Sequence, residues 1–168
     1  MTIVVRPAEL ADVPGLARVH VESWRETYRG LFSDEILDDP TFIERRERFW
    51  TSVLTSDRLR ADGRAAAAVL NGRIVGVALA APRDDDLDGD QYLLVLYTDA
   101  SIHGEGAGSA LLTSVLDLDR RAALWVADPN PRAQAFYRKH GFQPDGTSKV
   151  EQGVREIRMT RIPPGAVS

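Results

Sequence analysis

The stretch from Tyr92 to Leu112 constrains the fold of this chain more than any other part of it. Five consecutive apolar residues, Leu93 to Tyr97, predict a central strand that is buried on both faces. Glycines then occupy every second position from Gly104 to Gly108, and the apolar spacing after them indicates a helix. A strand, a glycine turn and a helix N-terminus form a concave site of backbone N–H groups, where no Cβ keeps a phosphate away. We therefore expect a phosphate-bearing cofactor on this turn.

The composition excludes several other kinds of protein. The chain has 168 residues, of which 43% are hydrophobic and 27% charged, as expected of one soluble globular domain. A net charge of −4 argues against nucleic-acid binding, and the absence of cysteine excludes disulfides, thiolate metal sites and a cysteine nucleophile. Three scattered histidines argue against a histidine metal site, so no metal is expected. Since no apolar segment approaches ~18 residues and no signal peptide is recognisable, we expect no membrane span and a cytoplasmic location.

Periodicity and turn residues predict eleven elements in the order β, α, α, β, β, β, α, β, α, β, β. Asn71-Gly72 predicts a hairpin, Thr41 with Glu44 a capping box, and Asn130-Pro131 a helix start. The acidic stretch from Pro82 to Asp90 is interpreted as a solvated turn. The predicted strands are 2–6, 65–70, 73–81, 93–97, 123–127, 142–150 and 154–162, and the predicted helices are 10–28, 41–54, 109–117 and 130–140. This order indicates one mixed sheet with helices on both faces.

The glycine turn could also belong to either of two kinds of nucleotide-binding site. A dinucleotide-binding turn is favoured by Asp128, which follows the next strand about where a ribose-binding acid is expected. However, the glycine spacing is G-x-G-x-G, and too little chain follows Gly108 to complete a doubly wound nucleotide domain. A P-loop is excluded because no Lys-Ser or Lys-Thr pair follows the last glycine.

Two ordered blocks of sequence carry a resemblance to a known family. The first, at 103–108, reads His-x-x-Gly-x-Gly, and the second, at 124–142, ends in Phe136-Tyr137-x-x-x-Gly141-Phe142. The pair resembles the GNAT superfamily of N-acetyltransferases, whose acetyl-CoA pyrophosphate loop reads R/Q-x-x-G-x-G/A and whose following helix ends in F-Y-x-x-x-G-F. The approach to the loop at Tyr97-Thr98-Asp99 also fits, and the resemblance covers nearly the whole chain.

The resemblance implies a fold and an activity. The fold is α/β of the α+β type, a single domain over residues 1–162 with a mixed, mostly antiparallel sheet and helices on both faces, and residues 163–168 are expected to be a frayed tail. The activity is an N-acetyltransferase reaction that uses acetyl-CoA as co-substrate and a primary amine of a small molecule or a peptide as acceptor. A homodimer is an expectation at the level of the family. The competing hypothesis is a non-catalytic acyl-CoA-binding or regulatory module.

The residues expected to bind the co-substrate come from the strand end, the turn and the second block. His103 stands where the family has Arg or Gln, so weaker affinity for the co-substrate is expected. Asn130 has two competing roles, as the N-cap of its helix and as a partner of the pantetheine arm. The expected set is Leu96, Tyr97, Thr98, His103, Gly104, Glu105, Gly106, Ala107, Gly108, Ser109 and Asn130.

The chemistry implied by the resemblance needs an oxyanion donor, a proton donor and a base. A backbone N–H between Leu96 and Thr98, on a splayed central strand, is expected to stabilise negative charge on the attacked carbonyl. The resemblance implies Tyr137 as the proton donor to the leaving thiolate, because its family counterpart often has that role, and a phenol with a pKa of ~10 is protonated at neutral pH. The base is left open among three carboxylates and a water chain to solvent. The three carboxylates are Glu22, Glu26 and Glu156.

The first helix carries aromatic residues on one side. His20, Trp24 and Tyr28 lie at i, i+4 and i+8, so they share a face. Packing against the sheet would explain them, but the run resembles a GNAT subgroup in which the first two helices wall the acceptor site. Trp24 and Tyr28 are therefore predicted to line an acceptor pocket, whereas His20 is expected to be a buried structural residue. The arginine cluster of the second helix, residues 45–48, is interpreted as solvated surface.

Overall fold

A seven-stranded sheet organises this chain, and the computed structural model describes residues 2–83 and 90–164 of it. The strand order across the sheet is β1-β2-β3-β4-β5-β7-β6. The strands are β1 (Val4–Pro7), β2 (Arg64–Leu70), β3 (Arg73–Ala81), β4 (Gln91–Thr98), β5 (Ala122–Ala127), β6 (Gln143–Glu151) and β7 (Val154–Arg161). The helices are α1 (Val13–Tyr28), α2 (Asp34–Leu37), α3 (Phe42–Thr55), α4 (Asp57–Asp62), α5 (Ala107–Val115) and α6 (Pro131–Lys139).

The sheet is mixed and mostly antiparallel, as predicted. Among the described strands, β4 and β5 form the one parallel pair, and each of the other neighbouring pairs is antiparallel. The hairpin predicted at Asn71-Gly72 joins β2 to β3, with both residues at positive φ. The acidic turn predicted after Pro82 falls mostly outside the described residues, as do the last four residues of the predicted tail.

Helices cover both faces of the sheet, each over its own apolar core. On one face, α1 and α3 pack through a cluster that includes Leu16, Trp50 and Val77. On the other face, α5 packs through a cluster that includes Leu111, Leu124 and Phe142. The central strand contributes to both clusters because its side chains alternate between the faces. In the described ranges, none of the helices has the length and apolar character that crossing a bilayer requires.

Two local predictions around α3 are wrong. Thr41 does not cap the helix through its side chain, because its hydroxyl donates at 2.8 Å to the Asp39 carboxylate, which also accepts the Thr41 N–H. The helix buries Phe42 and leaves Ile43 37% exposed, so the predicted apolar stripe is wrong at its first residue, whereas Phe49, Trp50, Val53 and Leu54 pack in the core as predicted. The short helices α2 and α4 were not predicted either, and each begins after a serine whose side chain accepts a backbone N–H.

A β-bulge at Leu94 sets the geometry of the centre of the sheet. Leu79 pairs with Val95 and Ala80 pairs with Leu93, so Leu94 has no partner on β3. A bulge of this kind bends its strand and increases the local twist. The prediction that the strand is buried on both faces is wrong at this residue, because Leu94 is 44% exposed.

Candidate active site

The parallel strands β4 and β5 separate directly after the bulge. Their pairing runs from Gln91 with Ala122 to Leu93 with Leu124, and no later residue of β4 pairs with β5 in the described structure. A cavity of about 520 Å³, here named the splay cavity, opens between the two strands beyond that point. Its lining includes Leu96, Tyr97 and Thr98 of β4. The backbone groups that face β5 along these residues have no strand partner there, so a ligand can bond to them.

The glycine turn lies at the mouth of this cavity and leads into α5. Gly104 and Gly106 both have a φ of +87°, which side-chain-bearing residues rarely adopt, and a Cβ at either position would meet open space. The first α-helical hydrogen bond of α5 runs from the Ala110 N–H to the Gly106 carbonyl at 3.1 Å. The preceding amides of the first turn are therefore the orphan donors of a helix N-terminus. A Cβ on Gly108 would lie 3.4 Å from the Phe136 ring, which is a van der Waals contact, so α6 packs directly against the start of α5.

His103 and Ser109 make contacts that the sequence did not indicate. The His103 Nε2–H donates to the Thr98 carbonyl at 3.2 Å, which ties the turn to the end of β4. The Ser109 hydroxyl lies 2.9 Å from Nε2 of His140, at the end of α6. Burial, and then the charges of Lys139 and Arg161, lower the pKa of His140, so its ring is neutral near pH 7. Both contacts stiffen the site at which a diphosphate is expected.

Tyr137 projects from α6 into the splay cavity. Its ring centroid lies 5.3 Å from that of Phe136 and 5.9 Å from that of Phe142. Burial raises the pKa of Tyr137, and the neighbouring Tyr28 raises it further. Burial likewise raises the pKa of Tyr97, which shares the cavity. Both phenols therefore remain protonated throughout the neutral range, as a proton donor must.

Asn130 lies beside the cavity and caps α6. Its Oδ1 accepts the Ala133 N–H at 3.3 Å, and Pro131 occupies the first turn, so the predicted helix start is confirmed. Asp128 does not face the cavity. Its carboxylate binds Arg155 and accepts a hydrogen bond from Gln134 at 3.3 Å, which leaves no support for a ribose-binding role.

Trp24 and Tyr28 belong to a cluster of four rings. The Trp24 centroid lies 4.4 Å from Tyr28, 5.2 Å from Phe32 and 5.7 Å from Phe42. The four rings line a second cavity of about 330 Å³, here named the aromatic cavity, together with Arg46 and Glu156 among others. Tyr28 lines both cavities, so the two adjoin at this residue.

The three carboxylates considered as bases occupy different positions. Glu22 is exposed and pairs with Arg18 at 3.1 Å, away from both cavities. Glu26 lines the splay cavity, and Glu156 lines the aromatic cavity with 21% of its side chain exposed. Burial raises the pKa of Tyr28, and the charge of the Glu156 carboxylate raises it further.

His20 is a buried structural residue, as expected. It is 5% exposed, and its Nδ1 accepts the Trp50 Nε1–H at 3.2 Å. Burial and the positive charge of Arg46 lower the pKa of His20 to about 3, so the imidazole is neutral. It supports the cavity wall, because its ring lies 5.4 Å from the ring of Tyr97.

Arg46 is the residue of this region that the sequence prediction missed. It was assigned to solvated surface with its neighbours, yet it is half-buried and its guanidinium lies 5.3 Å from the Phe42 centroid and 5.6 Å from the Phe49 centroid. The sequence spacing of Arg46 from the aromatic residues of α3 could have predicted its burial. Arg46 lies four residues after Phe42 and three before Phe49, which places it on the buried stripe of α3.

Comparison with known proteins gives the family. The model of the Acetyltransferase (GNAT) family matches residues 21–142. An uncharacterized N-acetyltransferase of Mycobacterium tuberculosis H37Rv is 32% identical over 90% of this chain and 85% of its own length. YuaI of Bacillus subtilis, likewise an uncharacterized N-acetyltransferase, is 24% identical over 95% of this chain and 90% of its own length.

Similar solved structures show the same fold. The PaiA N-acetyltransferase from Thermoplasma acidophilum, solved in complex with coenzyme A, has a TM-score of 0.75 at 21% identity and covers 96% of this chain and 99% of its own. The family match itself spans well over half of the chain. This chain therefore belongs to the GNAT family and is an acetyltransferase that uses acetyl-CoA as its co-substrate.

Proposed function

We propose that this acetyltransferase moves the acetyl group of acetyl-CoA to a primary amine, on a small molecule or a peptide, by direct attack of the amine on the thioester. The observation that carries the proposal is the pair of cavities that adjoin at Tyr28. One cavity holds Tyr137 beside the splayed strand, and the other holds aromatic rings and a carboxylate. Two reactants can therefore approach each other from the two cavities.

The site fits the co-substrate in two respects. A Cβ at Gly104 or Gly106 would meet open space, so a ligand has room beside the turn. The amides of residues 104–109 would hold the diphosphate there, apart from that of Glu105, which donates to the Ile102 carbonyl at 3.1 Å. The splay leaves the backbone of Leu96 to Thr98 without a β5 partner, and these groups would hold the pantetheine arm. Asn130 would add a side-chain contact from its amide nitrogen, since its Oδ1 is occupied by the helix cap.

In the proposed reaction, each functional group either transfers one proton or stabilises one developing charge. Acetyl-CoA supplies an activated acyl carbon, to which a C–N bond forms as the C–S bond breaks. A backbone N–H between Leu96 and Thr98 stabilises the negative charge that develops on the carbonyl oxygen. Tyr137 donates its proton to the departing sulfur. Glu26, which lines the splay cavity with Tyr137, or Glu156, which lines the adjoining aromatic cavity, accepts the proton that the amine loses, directly or through water.

Replacing Tyr137 by phenylalanine tests the proton donor. A positioned general acid contributes about 10²- to 10⁴-fold, so Tyr137→Phe should lower kcat by a factor in this range. The matched control is Tyr92→Phe, which makes the same chemical change on β4 outside the splay cavity, where the phenol accepts a 3.4 Å hydrogen bond from Arg158. The measurement is release of coenzyme thiol with a panel of amines.

The pH profile of the wild type gives a second readout. Because burial raises the pKa of Tyr137 above its ordinary value near 10, the donor stays protonated and the rate should not fall between pH 7 and about pH 10. Unchanged turnover in Tyr137→Phe would remove Tyr137 from the mechanism. A protein that binds acetyl-CoA but acetylates no amine would instead favour the non-catalytic module.

A further inference from the structure

The aromatic cavity contains a guanidinium, that of Arg46, which forms no ion pair with any acid among the described residues. Arg46 reaches into it from α3 between the rings of Phe42 and Phe49. Its Nε is buried and, within residues 2–83 and 90–164, has no hydrogen-bond partner. A buried charge without a counter-ion and a buried donor without an acceptor are both unfavourable. An anion bound in the cavity would supply the guanidinium with a counter-ion.

The other charged groups of the cavity are already paired. Glu151 and Glu156 share the ammonium of Lys149, at 3.1 Å and 3.6 Å, and Arg45 pairs with Asp39 at 3.5 Å. Among the cations that line the cavity in the described ranges, Arg46 is therefore the one without an ion pair. A guanidinium presents its donors in a planar fork that matches carboxylates and phosphates.

The position of Arg46 separates this anion site from the reacting atoms. Tyr137 packs with the apolar cluster under α5, whereas Tyr97 packs with the cluster under α1 and α3, from which Arg46 projects. The two cavities adjoin at Tyr28, so a molecule that places its amine near Tyr137 and reaches Arg46 extends from one cavity into the other. The amine and the anion therefore lie at opposite ends of that molecule. The rings of Trp24 and Phe32 provide an apolar wall for its middle.

We propose that the acceptor is a small amine that carries an anionic group, a carboxylate or a phosphate, at the end remote from the amine, and that Arg46 binds this group in the aromatic cavity. This inference rests on the proposed transfer to a primary amine and names the class of acceptor. It makes Arg46 a specificity-determining residue, because its contact does not involve the reacting atoms.

The test compares acceptors that differ only in the remote group. Wild-type protein with saturating acetyl-CoA is given ω-amino carboxylates with three to six carbons, the n-alkylamines of equal length, and the corresponding ω-amino phosphonates. A hydrogen bond to a charged group should favour the anionic acceptor by about 10- to 100-fold in kcat/KM at the length that reaches Arg46. The better of the two anionic series identifies which anion the site takes.

Two variants of α3 assign the effect. Arg46→Met keeps the aliphatic stem between the rings but removes the charge, so the ratio of anionic to neutral acceptor should fall to about 1. Arg48→Met removes an exposed arginine of the same helix that lines neither cavity, so the ratio should stay at the wild-type value. Calorimetric binding of acetyl-CoA to Arg46→Met verifies that the variant is folded.

The outcomes separate this inference from the proposed function. If wild type acetylates alkylamines as efficiently as the anionic acceptors at every length, the inference is wrong while the transfer to amines stands. A wild-type ratio retained in Arg46→Met would show that the anion does not bind Arg46, which also overturns the assignment. If no amine of any series is acetylated, the proposed function itself fails.

Discussion

Acidification should destabilise this protein through His20. The imidazole is 5% exposed, accepts a hydrogen bond from Trp50, and lies within 6 Å of the rings of Phe49, Trp50 and Tyr97. Burial, with a smaller contribution from the charge of Arg46, lowers the pKa of His20 to about 3. In the unfolded chain its pKa is near the ordinary value of about 6.5.

The sign and size of the effect follow from proton linkage. In the folded state His20 stays neutral down to about pH 3, whereas in the unfolded state it binds a proton below about pH 6.5. The free energy of unfolding therefore decreases as the pH falls from 6.5 toward 3. Each pH unit in that window changes the free energy of unfolding by about 1.4 kcal/mol. At pH 5, about 1.5 units below the unfolded pKa, His20 should therefore cost about 2 kcal/mol.

Urea unfolding of wild type and His20→Gln at pH 7.5 and pH 5.0 measures this cost. Glutamine can accept the Trp50 N–H bond but does not titrate, so the wild type should lose about 2 kcal/mol more than the variant between the two pH values. His140, whose pKa is also lowered, titrates in both proteins and cancels in the difference. Equal losses in the two proteins would refute the assignment of a neutral, buried His20.

Three further predictions concern the two cavities. Gly106→Ala places a side chain at a φ of +87°, so the free energy of unfolding should fall by about 1 kcal/mol and calorimetry should show weaker binding of acetyl-CoA. An unchanged affinity for acetyl-CoA would contradict the role of the turn. Asn130→Asp keeps the oxygen that caps α6 but removes the amide donor, so KM for acetyl-CoA should rise several-fold at constant Tm; an unchanged KM would limit Asn130 to capping. Trp24→Ala removes a wall of the aromatic cavity, so KM for the amine should rise about tenfold while the affinity for acetyl-CoA is retained. Weaker binding of acetyl-CoA with an unchanged KM for the amine would place Trp24 on the co-substrate side.

The identities of the strands and helices, and the glycine turn, were determined by local sequence. Alternating and helical apolar spacing predicted all seven strands and the four longest helices, because those periods are properties of the backbone itself. Gly106 and the Asn130-Pro131 pair were recognisable because a left-handed turn and a helix N-terminus each need particular residue types. The resemblance carried by Phe136-Tyr137 then indicated the family, which the match to residues 21–142 confirms.

Only the tertiary structure decided where the polar groups meet. The bulge at Leu94 depends on the register between β3 and β4, and the splay depends on pairing between strands about thirty residues apart, so neither leaves a local pattern. Asp39 competes with the predicted cap at Thr41, and the Thr98 carbonyl takes the His103 side chain. Arg46 looked like one of three surface arginines until the packing of α3 against α1 turned it toward buried rings. A side chain's charge is a property of the residue, but its partners are set by contacts between distant segments, and those contacts form only when the chain is folded.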